Sequence, residues 1–205
     1  PKMADLTDII FLIEQETGRR EEFLWGMYQF STAWWNVVLK QPDVLRSRIT
    51  WALSQIFVLS AFGSDEFEDL NMATAGYYEL LRTITFSNFR DILSAVSRNA
   101  SMGVYLSHAN NPKSDPENNI HPDENYAREV MQLFSIGLFE LNNDGSYKLD
   151  SAGSPIPTYD NNDIREFAKI FTGFGDGRPE GEWDTFDGDE IDLVEVATFP
   201  MRMYE

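Results

Sequence analysis

The sequence predicts a mainly α-helical protein, a multi-helix globular bundle with a small β-hairpin or strand element near the C-terminal part. Apolar residues recur every three or four positions in successive segments up to residue 172, which is the period of a helix face packed on a core. Hydrophobic residues make up 42% of the 205 positions and aromatic residues 14%, enough for a packed interior. The turn sequence Asn-Asn-Asp-Gly at 142–145 adds one hairpin, with flanks from Phe139 to Tyr147.

Five helices are predicted in the first half of the chain. Gly18 ends the first, Pro42 opens the third at its first turn, and Ser87 caps the fifth. The third is apolar almost all round, but it contains Arg46 and Arg48, so we interpret it as a core helix and not as a membrane span. The predicted ranges are 5–16, about 21–39, about 42–62, about 72–85 and about 88–99.

A loop predicted at 110–121 leads into the segment 123–137, which reads Asp-Glu-Asn-Tyr-Ala-Arg-Glu-Val-Met-Gln-Leu-Phe-Ser-Ile-Gly. We predict a helix with His121 as its cap and Pro122 in its first turn. Glu124 lies four residues before Arg128, a spacing that favours a surface ion pair. The predicted apolar face comprises Ala127, Val130, Met131, Phe134 and Leu138. The polar stripe beside this face comprises Asn125, Glu129 and Gln132.

The last predicted helix spans 160–172, with Asp160 as its cap and Asp163 three residues on. Residues 176–195 then contain nine acidic residues and one basic residue, and 193–199 read as a strand. We therefore divide the chain into a helical domain at 1–175 and an acidic loop and strand segment at 176–205, which we expect to continue into a missing C-terminal part. Residues expected to share one core are Leu53, Ile56, Phe89, Val96, Val130, Phe134, Phe167 and Phe171.

Charge and composition exclude several classes of function. The chain has 16 basic and 34 acidic residues, a net charge of −18 and a pI of about 4.3. Such a surface repels a phosphate backbone, so we expect no nucleic-acid partner. No cysteine is present, which excludes disulfides and thiolate catalysis. With only His108 and His121, a histidine-rich metal centre is not expected.

Two weaker patterns are retained as candidates. Asn142, Asp144 and Asp150 resemble half of a calcium loop, but with Gly145 at the sixth position the twelfth is Ser151 and no bidentate Glu follows. Turn chemistry is the simpler interpretation, with Ca²⁺ the only cofactor left open. Trp34 and Trp35 could form a platform for sugars, although neighbouring helical side chains diverge by roughly 100°, so at least one is expected in the core.

The 123–137 segment resembles the hallmark of the bacterial domain of unknown function 1800 family. Three further segments agree in order with that family: Ala-Trp-Trp at 33–35 with the helix at 45–60, Asn-Ala-Ser-Met-Gly-Val-Tyr-Leu at 99–106, and Asp-Ile-Arg-Glu-Phe-Ala-Lys-Ile-Phe-Thr-Gly-Phe at 163–174. The chain departs from the commonest hallmark at Asp123 and Gln132, where the family often has Asn and Glu. If Gln132 replaces a functional carboxylate, an acid-base or metal role of the stripe is weakened.

Family members are commonly longer and carry export signals, so the resemblance implies a fragment of an exported bacterial protein, periplasmic or at the cell surface, with no established activity. The partners expected are the rest of its own chain and an extracellular protein or polysaccharide. One hypothesis is a non-catalytic envelope module in which Asn125, Arg128, Glu129 and Gln132 form a buried structural network. The alternative is a metal-assisted hydrolase of an extracellular polymer or ester. Its catalytic candidates are Glu129 as base or ligand, Arg128 as anion stabiliser, and Asp163 or Glu166.

Overall fold

In a computed structural model, the described residues are 27–60, 71–175 and 200–203. They contain seven α-helices and one small two-strand antiparallel sheet, so the predicted mainly helical class is confirmed. The helices are α1 (Met27–Lys40), α2 (Val44–Ser54), α3 (Asn71–Thr83), α4 (Phe89–Ser97), α5 (Ala100–Tyr105), α6 (Asn125–Glu129) and α7 (Asn161–Ala168). The strands are β1 (Phe174–Gly175) and β2 (Arg202–Met203). The predictions for 5–16, for the start of the second helix and for 176–199 lie outside the described residues.

The chain divides into two compact units, residues 1–105 with 176–202 and residues 106–175 with 203–205. In the first unit α3 is central, because α1, α2 and α5 all pack against it. Tyr77 and Leu81 of α3 are fully buried, and the Tyr77 hydroxyl donates a hydrogen bond of 2.7 Å to the Phe57 carbonyl. That bond holds the segment after α2 against α3. Val96 of α4, one of the residues predicted in the core, is fully buried in this unit.

Helix α2 corrects the prediction of a long apolar core helix at 42–62. It ends at Ser54, and its buried residues are Ser47, Thr50 and Ser54. The Thr50 hydroxyl lies 2.8 Å from that of Thr85 and also donates to the Arg46 carbonyl, so small hydroxyl side chains bury without losing hydrogen bonds. Several apolar side chains of this segment are exposed instead, among them Val44, Leu45 and Trp51, whereas Phe57 and Leu59 are buried. Ile56, predicted in the core, is 46% exposed.

Two further details differ from prediction in the first unit. The N-cap of α4 is Asn88 and not Ser87, because the Asn88 side chain accepts the Asp91 amide at 3.1 Å. Phe89 follows this cap in the first turn of α4 and is 51% exposed, so it does not join the core.

The second unit is built on α6 packed against α7, as predicted for these two helices. Val130 and Phe134 are buried on one side of this contact, and Ile164 and Phe171 on the other. In the segment of the chain that connects α6 to α7, isolated antiparallel β-bridges pair Phe139 with Pro157, Leu141 with Tyr147 and Leu149 with Pro155. The middle pair confirms the predicted hairpin, and the others extend it into a meander.

Helix α7 begins as predicted. The Asp160 side chain accepts the amides of Asn162 and Asp163, and the Asp163 carboxylate accepts the Asp160 amide at 2.9 Å. This reciprocal capping box satisfies amides that the first helical turn leaves free. A 3₁₀ turn, Lys169–Phe171, continues α7, so the predicted range of 160–172 is confirmed.

Candidate functional site

Asn111 determines where the helix of the hallmark segment begins. This residue is 3% exposed, and its side chain binds the backbone of Asp123 twice: the Asp123 amide donates to Oδ1 at 2.8 Å, and Nδ2 donates to the Asp123 carbonyl at 3.3 Å. The Asp123 carboxylate in turn accepts the Asn125 amide at 2.7 Å. Helix α6 therefore starts at Asn125, which corrects the expected start with His121 as cap and Pro122 in the first turn.

After Glu129 the helix widens into a π-helix, Val130–Phe134. The Ser135 hydroxyl donates to the Val130 carbonyl at 2.5 Å, and the Gly137 amide donates to the Met131 carbonyl at 2.9 Å. Gly137 closes this end with a φ of +74°, a conformation that glycine adopts without strain. Because the helix ends here, Leu138 is 48% exposed and does not extend the buried face, contrary to prediction. π-Helical turns of this kind often mark functional segments.

Beneath α6 lies a buried histidine that the sequence analysis did not single out. His108 is 1% exposed, and its ring stacks on Tyr126 with centroids 3.7 Å apart and planes at 22°. Phe171 meets the Tyr126 ring edge to face at 4.8 Å. One histidine in an irregular segment has no periodic signal, so only the tertiary structure identifies it. The cluster ties the 106–111 segment to α6 and to the 3₁₀ turn after α7.

The charged residues of the hallmark lie at the surface of this packing. Arg128 Nη2 pairs with Glu124 Oε2 at 3.1 Å, which confirms the predicted ion pair, and both side chains are more than a third exposed. Asn125 is exposed, and Glu129 and Gln132 are half-buried. Within the described part of the chain, Glu129 has neither a hydrogen bond nor an ion pair from its side chain. The network of Asn125, Arg128, Glu129 and Gln132 therefore stays a prediction.

Asp163 and Glu166 lie three residues apart on α7 and line one open cavity of about 500 Å³. Met131 of the π-helix and Tyr159 form other parts of its wall, whereas Glu129 and Arg128 do not line it. The Asp163 carboxylate accepts the Asp160 amide, and Glu166 pairs with Lys169 at 2.6 Å. Two of the four catalytic candidates thus line one cavity, and the other two do not.

The weak calcium candidates serve turns. Asp144 accepts the hydroxyl of Ser146 at 2.6 Å and its amide at 3.0 Å, and these bonds, the hydroxyl first, lower the pKa of Asp144. Asp150 likewise accepts two amides of its turn, and the Asn142 side chain donates to Ser146 Oγ. Among the residues that the structure describes, no three His, Cys, Asp or Glu side chains are grouped to hold a metal ion.

Comparison with known proteins gives one finding. The profile of the family described as protein of unknown function (DUF1800) matches residues 6–192, most of the chain. No curated protein and no solved structure matches this chain. Within 27–60, 71–175 and 200–203, no helix has both the length and the apolar character needed to cross a bilayer.

Proposed function

This chain belongs to the family of proteins of unknown function DUF1800, and from that premise we propose that it is a non-catalytic structural or binding module of the bacterial envelope or cell surface. The observation that carries this proposal is that three of the four charged catalytic candidates bind residues close to them in the sequence. Arg128 pairs with Glu124, Asp163 completes a capping box, and Glu166 pairs with Lys169. Side chains held by residues three or four positions away contribute to helix stability and are not poised together on one substrate atom.

The proposed location is supported by the family resemblance, because members of the family commonly carry export signals. The net charge of −18 favours solubility in salt. The protein's natural gene product should therefore appear in the periplasmic or surface fraction when cells of its own bacterium are fractionated and immunoblotted. Recovery of the protein with a cytosolic marker enzyme would overturn this part of the proposal.

A second candidate function, the metal-assisted hydrolase, is favoured by one observation. Asp163 and Glu166 share a cavity that the π-helix borders, and two carboxylates on one face could hold a divalent cation such as Ca²⁺ beside a polymer or ester substrate. Glu129 lies outside this cavity, so in this version it is not the base.

One assay separates the two functions. The purified natural gene product is incubated with ester and polysaccharide substrates, with Ca²⁺ and with chelator, and compared with Glu166→Gln. Because Glu166 forms an exposed pair with Lys169, this variant should fold normally. We expect no turnover by either protein. Metal-dependent turnover that Glu166→Gln abolishes would replace our proposal with the hydrolase.

A further inference from the structure

The first unit contains a cleft with several aromatic side chains in its wall. It lies among α1, α2 and α3 and has a volume of about 290 Å³. Five aromatic side chains line it: Phe30, Trp34, Trp35, Trp51 and Tyr78. Ligand pockets are typically lined by apolar and aromatic groups with a few placed polar groups, and this cleft is near the lower end of their size range.

The floor of this aromatic cleft is formed by packed rings and its rim by exposed ones. Trp34 is 4% exposed, and its ring meets that of Tyr78 edge to face with centroids 5.3 Å apart. The Trp51 ring lies 6.1 Å from the Trp34 ring, with an angle of 30° between their planes. Trp35 and Trp51 are 56% and 48% exposed, so their indole rings are accessible from solvent. Adjacent Trp34 and Trp35 therefore divide the roles, one in the core and one at the rim. A preorganised aromatic surface binds without a large loss of side-chain entropy.

A buried hydroxyl group lies in the same wall. Thr74 is 2% exposed, and its Oγ1 has no hydrogen-bond partner among the described residues. A buried polar group without a partner is destabilising, so such groups are rare and need an explanation. Thr74 is one of the residues that line the cleft, and a ligand hydroxyl would supply the missing partner once Oγ1, which is shielded from solvent in the unliganded cleft, turns toward the ligand.

The described lining of the cleft is uncharged. None of the described residues that line it carries a charge, although the whole chain has a net charge of −18. Among these described lining residues, a cationic ligand meets no carboxylate and an anionic ligand meets no basic group. Besides Thr74, the polar lining groups are hydroxyls and one amide, including Ser54 and Gln55, whose side chains are hydrogen-bonded to each other.

We propose that this aromatic cleft binds a neutral carbohydrate chain. A sugar ring offers a flat C–H face that stacks on an indole, and hydroxyls that pair with a buried Oγ1, whereas an acyl chain would leave Thr74 without a partner. The inference rests on the proposed function as a binding module and names its ligand class and site. No step of bond cleavage is involved.

The test titrates the full chain with neutral oligosaccharides, one series of β-linked glucose and one of N-acetylglucosamine, by calorimetry. Trp35→Ala should weaken binding about 10-fold, and Trp35→Phe, which keeps a ring, should recover part of it. Leu45→Ala is the matched control, since Leu45 is 61% exposed in the same unit and does not line the cleft. It should leave Kd unchanged.

Thr74→Val separates ligand binding from folding. It replaces the hydroxyl by a methyl group of similar size, so the melting temperature should stay the same or rise, because an unpaired polar atom is removed. Kd should weaken about 5-fold, the value of one hydrogen bond. A purely structural Thr74 would instead give a lower melting temperature and an unchanged Kd.

Three results would overturn the site: no saturable binding of either sugar series by the wild type, binding that neither Trp35→Ala nor Thr74→Val weakens, or preference for acyl-chain micelles or a proline-rich peptide. Analysing the same samples for shortened sugars tests the proposed function independently. Release of shortened sugars would overturn the non-catalytic function, while a Trp35-dependent Kd would still support the cleft as the binding site.

Discussion

The imidazole of His108 and the phenol ring of Tyr126 lie face to face, with ring centroids 3.7 Å apart and both side chains 1% exposed. Tyr126 is the fourth residue of the hallmark segment, so the hallmark contributes a buried ring to the core of the second unit. Asn111 acts on the same segment three residues further along the loop, through its two bonds to the Asp123 backbone. Much of the hallmark is therefore explained by packing.

Tyr126→Ala tests this explanation. Removing the ring leaves a cavity against His108 and Phe171, and truncation of a large buried aromatic side chain costs about 3–5 kcal/mol. Urea unfolding should show this loss. Leu133→Ala, at a 58% exposed position in the same segment, should change the unfolding free energy by less than about 0.5 kcal/mol. Equal effects of the two substitutions would contradict the packing role.

Glu129→Ala tests the predicted network. A buried ion-pair partner would cost about 3–5 kcal/mol on removal. We expect Glu129→Ala to lower the free energy of unfolding by less than about 1 kcal/mol, because Glu129 is half-buried and the described residues supply it no cation. Thermal melting is the measurement, and Glu124→Ala, which removes the exposed partner of Arg128, is the control. A large loss confined to Glu129→Ala would restore the network.

The N-cap of α2 should titrate at an unusually low pH. The Arg46 amide donates to Asp43 Oδ1 at 3.1 Å and Arg46 Nε donates to Oδ2 at 2.9 Å, and these bonds, the backbone one first, lower the pKa of Asp43 below its ordinary value of 3.8. The folded state prefers the ionised form, so its stabilisation is fully present above the unfolded pKa and is lost as pH falls through the folded one.

NMR titration of the Asp43 carboxyl carbon checks this directly. Its midpoint should lie below 3.8 in the wild type and move toward 3.8 in Arg46→Gln, which keeps the backbone amide but loses the guanidinium. A wild-type midpoint at or above 3.8 would show that the cap is not formed in solution.

The charge predicts that the purified chain binds no duplex DNA at physiological salt. A net charge of −18 repels the phosphate backbone and offers no counterion release. A gel-shift series at sub-micromolar protein should show no retarded band, with a basic DNA-binding protein as the positive control. Retardation that weakens as the salt concentration is raised would contradict this prediction. It would show that a local basic patch binds DNA despite the negative net charge.

Local chemistry is where sequence and structure agree. The capping box of Asp160 and Asp163, the hairpin around residues 142–145 and the pair of Glu124 with Arg128 each involve residues a few positions apart, so spacing alone predicts them. The candidate site was predicted less well. Asp163 and Glu166 share a cavity, but spacing could not show that Glu129 lies outside it.

The sequence by itself determined the helical class, the capping box of α7 and the family, because backbone hydrogen bonding and capping depend on neighbours along the chain. The tertiary structure decided which faces are buried. Thr50 turns inward to meet Thr85 while Ile56 faces out, and His108 enters a core of aromatic rings. Hydrophobic periodicity describes one helix at a time, whereas close packing depends on shapes contributed by residues far apart in sequence.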